Sequence, residues 1–354
     1  MNLLQETLAA ITSVDEAASA AALARLNSLT KPLGSLGRLE EIVRRYAAIR
    51  RDGSARWGGG AIAVFVADHG VADEGVSAYP KAVTLQMLRN IAQGGAAISV
   101  LARHFGFELK VIDAGVETDT SGTPMHGVTY RRIGPGTQSF LRGPAMSAEQ
   151  ARRALEVGIE IAREAAGAGA TLLGIGEMGI ANSTSAAALL CAATGVAPAA
   201  IAGRGTGLDD TQLRHKVEVV EGALGLHRAA LSDPLATLAA LGGFEIAAMA
   251  GVCVGGAAFH VPVVVDGFIA TAAATIAAKL HPALRDCLFF AHRSSEGGHA
   301  LALEHLRARP ILDLDMRLGE GSGAALAMAV IRAGLELFHE MATFAGAGVS
   351  EKLK

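Results

Sequence analysis

From about Trp57 onward, short runs of β-branched or apolar residues recur: AIAVFVAD, LKVIDAG, TLLGIGE, AAIAGRG, VPVVVDG, LFFAHR and PILDLD. Each ends in glycine or a polar residue, and most are followed by ten or more residues of helical pattern. Parallel strands need long crossovers and are buried on both faces, so this alternation predicts βα units on one parallel sheet. The fold class expected is α/β, a Rossmann-like parallel sheet flanked by helices, over residues 57–320. Residues 1–56 read as helical, with an apolar stripe in LEEIVRRYAAI and an interruption at TKPLGSLGR. The segment SGAALAMAVIRAGLELFHEMATFAGAGVS reads as one long helix with a glycine-rich exit. The two ends, 1–56 and 321–354, are expected to pack together as a small helical domain.

Composition narrows the function classes. Hydrophobic residues at 51% and charged residues at 18% of 354 can bury a large core and exclude disorder as the main state. Lys plus Arg is 31 against Asp plus Glu 34, and aromatics are 4%, so a basic groove and stacking platforms for nucleic acid are both missing. Cys191, Cys253 and Cys287 are far apart and odd in number, which predicts buried thiols in a reducing compartment and a cytoplasmic protein. Between Glu245 and Asp266 only His260 can carry charge near neutral pH, a run long enough to span a bilayer. Its Gly251, Gly255, Gly256 and Pro262, and the switch to VPVVVD, predict a buried helix entering a buried strand instead. No membrane association is expected.

Many of the 43 glycines sit where a strand run ends, the edge at which an open parallel sheet binds ligands. The first cluster, Gly174-Ile175-Gly176-Glu177-Met178-Gly179, precedes Asn182 and Ser183, either of which could cap the next helix. Such a loop lets backbone N–H groups approach a phosphate, or is an ordinary tight βα turn. Glu177 inside it would repel an anion unless it faces ribose hydroxyls or a cationic ring. The second cluster, Gly203-Arg204-Gly205-Thr206-Gly207, precedes the helix that holds Lys216. With Lys216 it would make a phosphate cradle, although a solvated helix lysine is the commoner case. Asp68-His69 and Asp113 close two further strands, and with no companion histidine at ligand spacing His69 reads as a hydrogen-bonded structural residue. The run His292 to Glu296 is either a site loop or a helix cap with an acidic first turn. Glu320, between Gly319 and Gly321, either enters a cleft or complements the dipole of the helix it precedes.

Eleven segments occur in one order: LTKPLGSLGRLE, FVADHGV, EGVSAYP, VTLQML, GGAAISVLA, IDAGV, GIGEMGIANSTSAAAL, GRGTGLDD, LGGFEIAAMAG, VVVDGF and DMRLGEGSGAALA. Together they resemble the CobT family, the nicotinate-nucleotide–dimethylbenzimidazole phosphoribosyltransferases of cobalamin nucleotide-loop assembly, from about Leu29 to Val349. Ala181 and Ser183 stand where many members carry Gly and Thr.

The resemblance implies transfer of the 5-phosphoribosyl group of nicotinate mononucleotide to a nitrogen of 5,6-dimethylbenzimidazole, with inversion from β to α. The cationic pyridinium departs as a neutral ring and needs no acid, whereas the attacking benzimidazole must lose a proton. The resemblance maps that base onto Glu320 and puts Glu177 near the ribose, where its charge would stabilise the developing cation. It further implies Ser77, Tyr79, Gln86, Met316 and Leu318 around the benzimidazole. Gly176, Gly205 and Lys216 would hold phosphate and ribose, and Asp266 and Ser294 the nicotinate or ribose side. No cofactor or metal is implied, and the family precedent is a homodimer. Two other readings remain at this level: a nucleotide-binding regulatory module without transfer activity, and a glycohydrolase that uses water as nucleophile.

Overall fold

The computed structural model describes residues 2–205 and 207–350. Six strands form one wholly parallel sheet: β1 (Gly60–Ala67), β2 (Glu108–Gly115), β3 (Val128–Tyr130), β4 (Leu172–Met178), β5 (Val263–Val265) and β6 (Leu288–Phe290). Their order is β3-β2-β1-β4-β5-β6, so the winding reverses between β1 and β4. That reversal leaves a crevice beyond the carboxyl ends of the central strands, where ligands bind in doubly wound folds. All of β1 is buried, as its unbroken apolar run requires.

The helices Phe244–Ala258 and Ser322–Glu340 both lie against β1, β4 and β5 and cover the sheet between them. The apolar stretch after Glu245 is thus a buried helix followed by β5, and no helix among the described residues is long and apolar enough to cross a membrane. All three cysteines are buried and unpaired.

The chain ends meet. Arg25 donates from Nε to the Phe338 carbonyl at 2.9 Å and from Nη2 to that of His339 at 3.0 Å, and Leu29 bridges to Thr343. The helix Arg38–Arg50 packs on Ser322–Glu340, which also rests on the sheet, so one apolar core runs from Leu4 to Phe338 through all three expected segments.

Several local expectations are corrected. The run AAIAGRG begins inside the short helix Pro198–Ile201, which is opened by a proline at its first position. PILDLD forms no strand beyond a single bridge between His292 and Leu312. The C-terminal segment is broken: its long helix stops at Glu340 and a separate turn of helix spans Phe344–Ala347.

Candidate active site

A cavity of ≈ 660 Å³ opens at the carboxyl ends of β1, β4, β5 and β6, the size of a small-molecule site. Nine of the twelve expected residues line it: Glu177, Glu320, Ser77, Tyr79, Gly205, Lys216, Asp266, Ser294 and Leu318. Gly176, Gln86 and Met316 do not. Gly176 sits within β4, where a Cβ would overlap the backbone of Glu320 and Gly321, so its role is to admit that loop. The glycine of that cluster that reaches the cavity is Gly179. On the helix Ala82–Ala92, Val83 and Met87 line the cavity, whereas Gln86, on the same face by its spacing, is exposed and does not. Met316 ties the approach to Glu320 by accepting from the Ser295 N–H at 3.0 Å.

Neither Asn182 nor Ser183 caps the helix Asn182–Thr194. Ala181 holds that position in left-handed backbone, φ 73°, which frees both side chains for the cavity. The Asn182 amide donates to the Glu177 carboxylate. Burial, reinforced by the nearby carboxylates of Glu245, Asp266 and Glu320 and opposed by Asn182, pushes Glu177 up to about 8.

Glu320 stands at φ 62° between Gly319 at 85° and Gly321 at 84°, three successive left-handed residues. Asp266 pins this turn by accepting from Gly321 N–H at 3.2 Å and Ala324 N–H at 2.8 Å. Asp266 is therefore a buried clamp as well as a wall of the cavity. Burial raises the Glu320 carboxyl above its usual range, with the Asp266 charge adding to the effect. One Glu320 oxygen is buried without a hydrogen-bond partner, as suits a carboxylate whose partner is a ligand.

Lys216 is fully buried, 0% exposed, and is no solvated lysine. Its ammonium donates to Ser183 Oγ at 2.9 Å and the Gly203 carbonyl at 3.1 Å. Burial lowers it to about 8 against the opposing pull of Glu296. Ser294 is not a helix cap, since the next helix, His299–His305, begins five residues later. Its N–H donates to His299 Nδ1 at 2.8 Å, which leaves the Nε2 proton of that ring for Thr271 Oγ1 at 2.9 Å. Burial lowers His299 to about 3, so the ring is neutral and fixed in this tautomer.

His69 is the structural histidine expected: its Nε2 lies 2.6 Å from Glu245 Oε1, and both side chains are buried. Asp68 and Asp113 stay out of the cavity. They hold the loop after β2 through the N–H groups of Glu117 and Val116, and Asp113 also binds Arg132 at 2.6 Å.

Sequence reading missed Glu245, His299, Arg204 and Arg317. The first carried a signal, a lone carboxylate in the first turn of an otherwise apolar helix. The two arginines lie inside the glycine-rich segments GRGTGLDD and DMRLGEGSGAALA, where the site reading rests on Gly205, Met316, Leu318 and Glu320 instead.

A cavity lined by the carboxylates of Glu177 and Glu320 and by the Lys216 ammonium suits a ligand that carries both a cationic and an anionic group. Fold and cavity together define a doubly wound α/β enzyme built for a phosphorylated small molecule.

Comparison with known proteins gives the family. A family model described as phosphoribosyltransferase matches residues 11–349. The nicotinate-nucleotide–dimethylbenzimidazole phosphoribosyltransferase of Geotalea uraniireducens is 50% identical over 351 residues, 99% of each chain. That of Pelodictyon phaeoclathratiforme is 52% identical over 349 residues, covering 99% of this chain and 98% of the relative. The crystal structure of CobT from Thermus thermophilus superposes with a TM-score of 0.88 at 46% identity, over 95% of this chain and all of the other. The chain belongs to the CobT-type phosphoribosyltransferase family.

Proposed function

We propose that the protein transfers the 5-phosphoribosyl group of nicotinate mononucleotide to 5,6-dimethylbenzimidazole, giving α-ribazole 5′-phosphate and nicotinate for the lower ligand of cobalamin. The observation that supports this reading is that Glu177, Glu320, Lys216 and Gly205 line one cavity. In this reading the phosphate lies at Lys216, Gly205, Ser183 and Ser294. Glu177 faces the ribose and the pyridinium, and its charge favours the positive carbon formed as the C1′–N bond breaks with its electron pair going to the nicotinate ring. A benzimidazole nitrogen attacks C1′ from the opposite face, so the configuration inverts. The proton on its second nitrogen passes to Glu320, whose affinity for protons burial raises in the direction a general base needs. Val76, Ser77, Tyr79, Val83, Met87 and Leu318 supply the mostly apolar wall a benzimidazole needs.

The decisive assay supplies both substrates and identifies the product. Nicotinate release should depend on the benzimidazole and be matched by α-ribazole phosphate, and undiminished release without the acceptor would mean a glycohydrolase. Glu320→Gln should bind nicotinate mononucleotide as the parent does while turnover falls about 10²- to 10⁴-fold, the usual worth of general-base catalysis. Turnover within about threefold of the parent would assign the base elsewhere.

A homodimer is part of the same proposal. Tyr79 and Leu318, 52% and 58% exposed, stand at the cavity rim, and Leu314 is 55% exposed nearby in sequence. Such apolar side chains suit cover by a second copy, and sedimentation at micromolar concentration tests it. The three unpaired buried thiols fit a reducing, cytoplasmic compartment, which fractionation checks.

A further inference from the structure

The phosphate end of the cavity already holds an anion, and it belongs to the protein. Glu296 is buried and lines the cavity. Its Oε1 accepts the Gly205 N–H at 2.9 Å. The fit is close enough that a Cβ on Gly203 would overlap the Glu296 carboxylate, so glycine at 203 makes room for it. The Glu296 N–H donates to Ser294 Oγ at 3.2 Å, and the carboxylate also favours the charged form of buried Lys216. Around this carboxylate stand groups with protons to give: the Lys216 ammonium, the Ser183 hydroxyl that accepts from it, and the Ser294 hydroxyl that accepts from Glu296 N–H. A carboxylate drawn onto a glycine N–H beside a buried ammonium marks the place where an incoming anion gains most.

We propose that Glu296 is an internal counter-anion that occupies the phosphate position of the free enzyme and must give up the Gly205 N–H before a phosphorylated ligand can seat. The inference rests on the cradle described under Proposed function. One N–H serves one anion well, so the two compete. With Glu296 in place, the Gly205 N–H is held and the 203–205 backbone stays set while the cavity is empty. A ligand has to bring a dianion to displace the carboxylate, and Glu296 thereby selects the nucleotide over the unphosphorylated nucleoside.

The test titrates inorganic phosphate into the full-length protein at pH 7, below the point at which Lys216 loses its proton, and follows binding by calorimetry or phosphorus NMR. Glu296→Gln and Glu296→Ala, each shown folded by a cooperative melt, should bind phosphate about tenfold more tightly than the parent, the worth of one charge-assisted hydrogen bond no longer contested. Alanine should gain at least as much as glutamine, which keeps an acceptor oxygen. Unchanged or weaker binding in both variants overturns the proposal, because Glu296 would then be idle or would itself hold the ligand. Lys216→Met separates the two levels of inference. If it weakens phosphate binding while the Glu296 variants gain nothing, the cradle stands and the counter-anion fails. If it binds as the parent does, the cradle fails and the counter-anion with it.

Discussion

Glu177→Gln is the perturbation whose size the structure fixes best. Burial and three neighbouring carboxylates raise this group from 4.5 to about 8. At pH 7 it is then about nine-tenths protonated in the empty enzyme, since each unit is a factor of ten. A cationic pyridinium placed against it favours the ionised form. Binding of nicotinate mononucleotide should therefore release about 0.9 proton per site, and the second ionisation of the phosphate, near pH 6, adds only about 0.1. Calorimetric titration at pH 7 in two buffers of different ionisation enthalpy counts these protons. Glu177→Gln should cut the release to below about 0.2. Stability moves with the same group. Its folded value lies above the unfolded one, so folding favours the neutral form, and the ionised carboxyl costs stability progressively as pH rises from about 4.5 to about 8. The cost is about 3 kcal/mol at pH 7 and approaches 5 kcal/mol above pH 8, at roughly 1.4 kcal/mol per unit. Glutamine keeps a partner for Asn182 and removes that cost. The parent and variant should melt together near pH 4 and diverge upward to pH 8. A variant that still releases the parent's protons, or whose stability advantage fails to grow between pH 5 and 8, would refute this account of Glu177.

Gly176→Val should damage turnover more than nucleotide affinity and destabilise the fold by about 3 kcal/mol or more, because the new side chain meets the backbone that carries Glu320; separate measurement of kcat, KM and denaturant midpoint checks it. Ala181→Gly should stabilise the protein by about 0.5–1 kcal/mol, the left-handed penalty at φ 73° less the extra freedom of glycine in the unfolded chain, as a higher midpoint in chemical denaturation would report. His299→Gln should weaken nucleotide binding rather than change the rate at saturation, since the ring fixes Ser294 from behind; a fall in kcat at unchanged KM would count against that positioning role.

What could be read in the chain and what could not divide along physical lines. β1, β4, β5 and β6 come from apolar runs that are almost wholly buried, and β2 buries only its second half, Val111–Gly115. β3 is three half-buried edge residues, Val128–Tyr130, too short for any periodicity to register. PILDLD misleads because its alternation imitates an edge strand, while Leu314 in it is exposed. The glycine cluster misleads in a more instructive way. Gly174 and Gly176 are two apart in a strand, so they share a face, and a Cβ on either would meet the segment that starts at Glu320 and continues into the helix behind it. Strand periodicity alone therefore separates Gly176, a packing position, from Gly179, which lies past the strand end and reaches the cavity. Lys216 shows the opposite limit: average exposure argues for solvent, and only the fold reveals that Ser183 and Gly203 surround it.

Three motifs far apart in sequence act as one mechanical unit around Glu320. A non-glycine residue in left-handed backbone costs of order 1–3 kcal/mol and persists only where its surroundings impose it. GIGEMG supplies the floor, because Gly176 leaves room for the turn. VVVDGF supplies Asp266, whose two oxygens hold the N–H groups of Gly321 and Ala324. LGEGSG supplies the turn itself, with left-handed glycines on each side of Glu320 and a Ser322 hydroxyl that donates to the Gly319 carbonyl at 2.6 Å. A buried aspartate that answers two N–H groups is hard to move, so the strain is held by β4, β5 and the helix behind them rather than by the loop. The carboxylate is thereby aimed before any ligand arrives, with one oxygen that has no hydrogen-bond partner among the described residues.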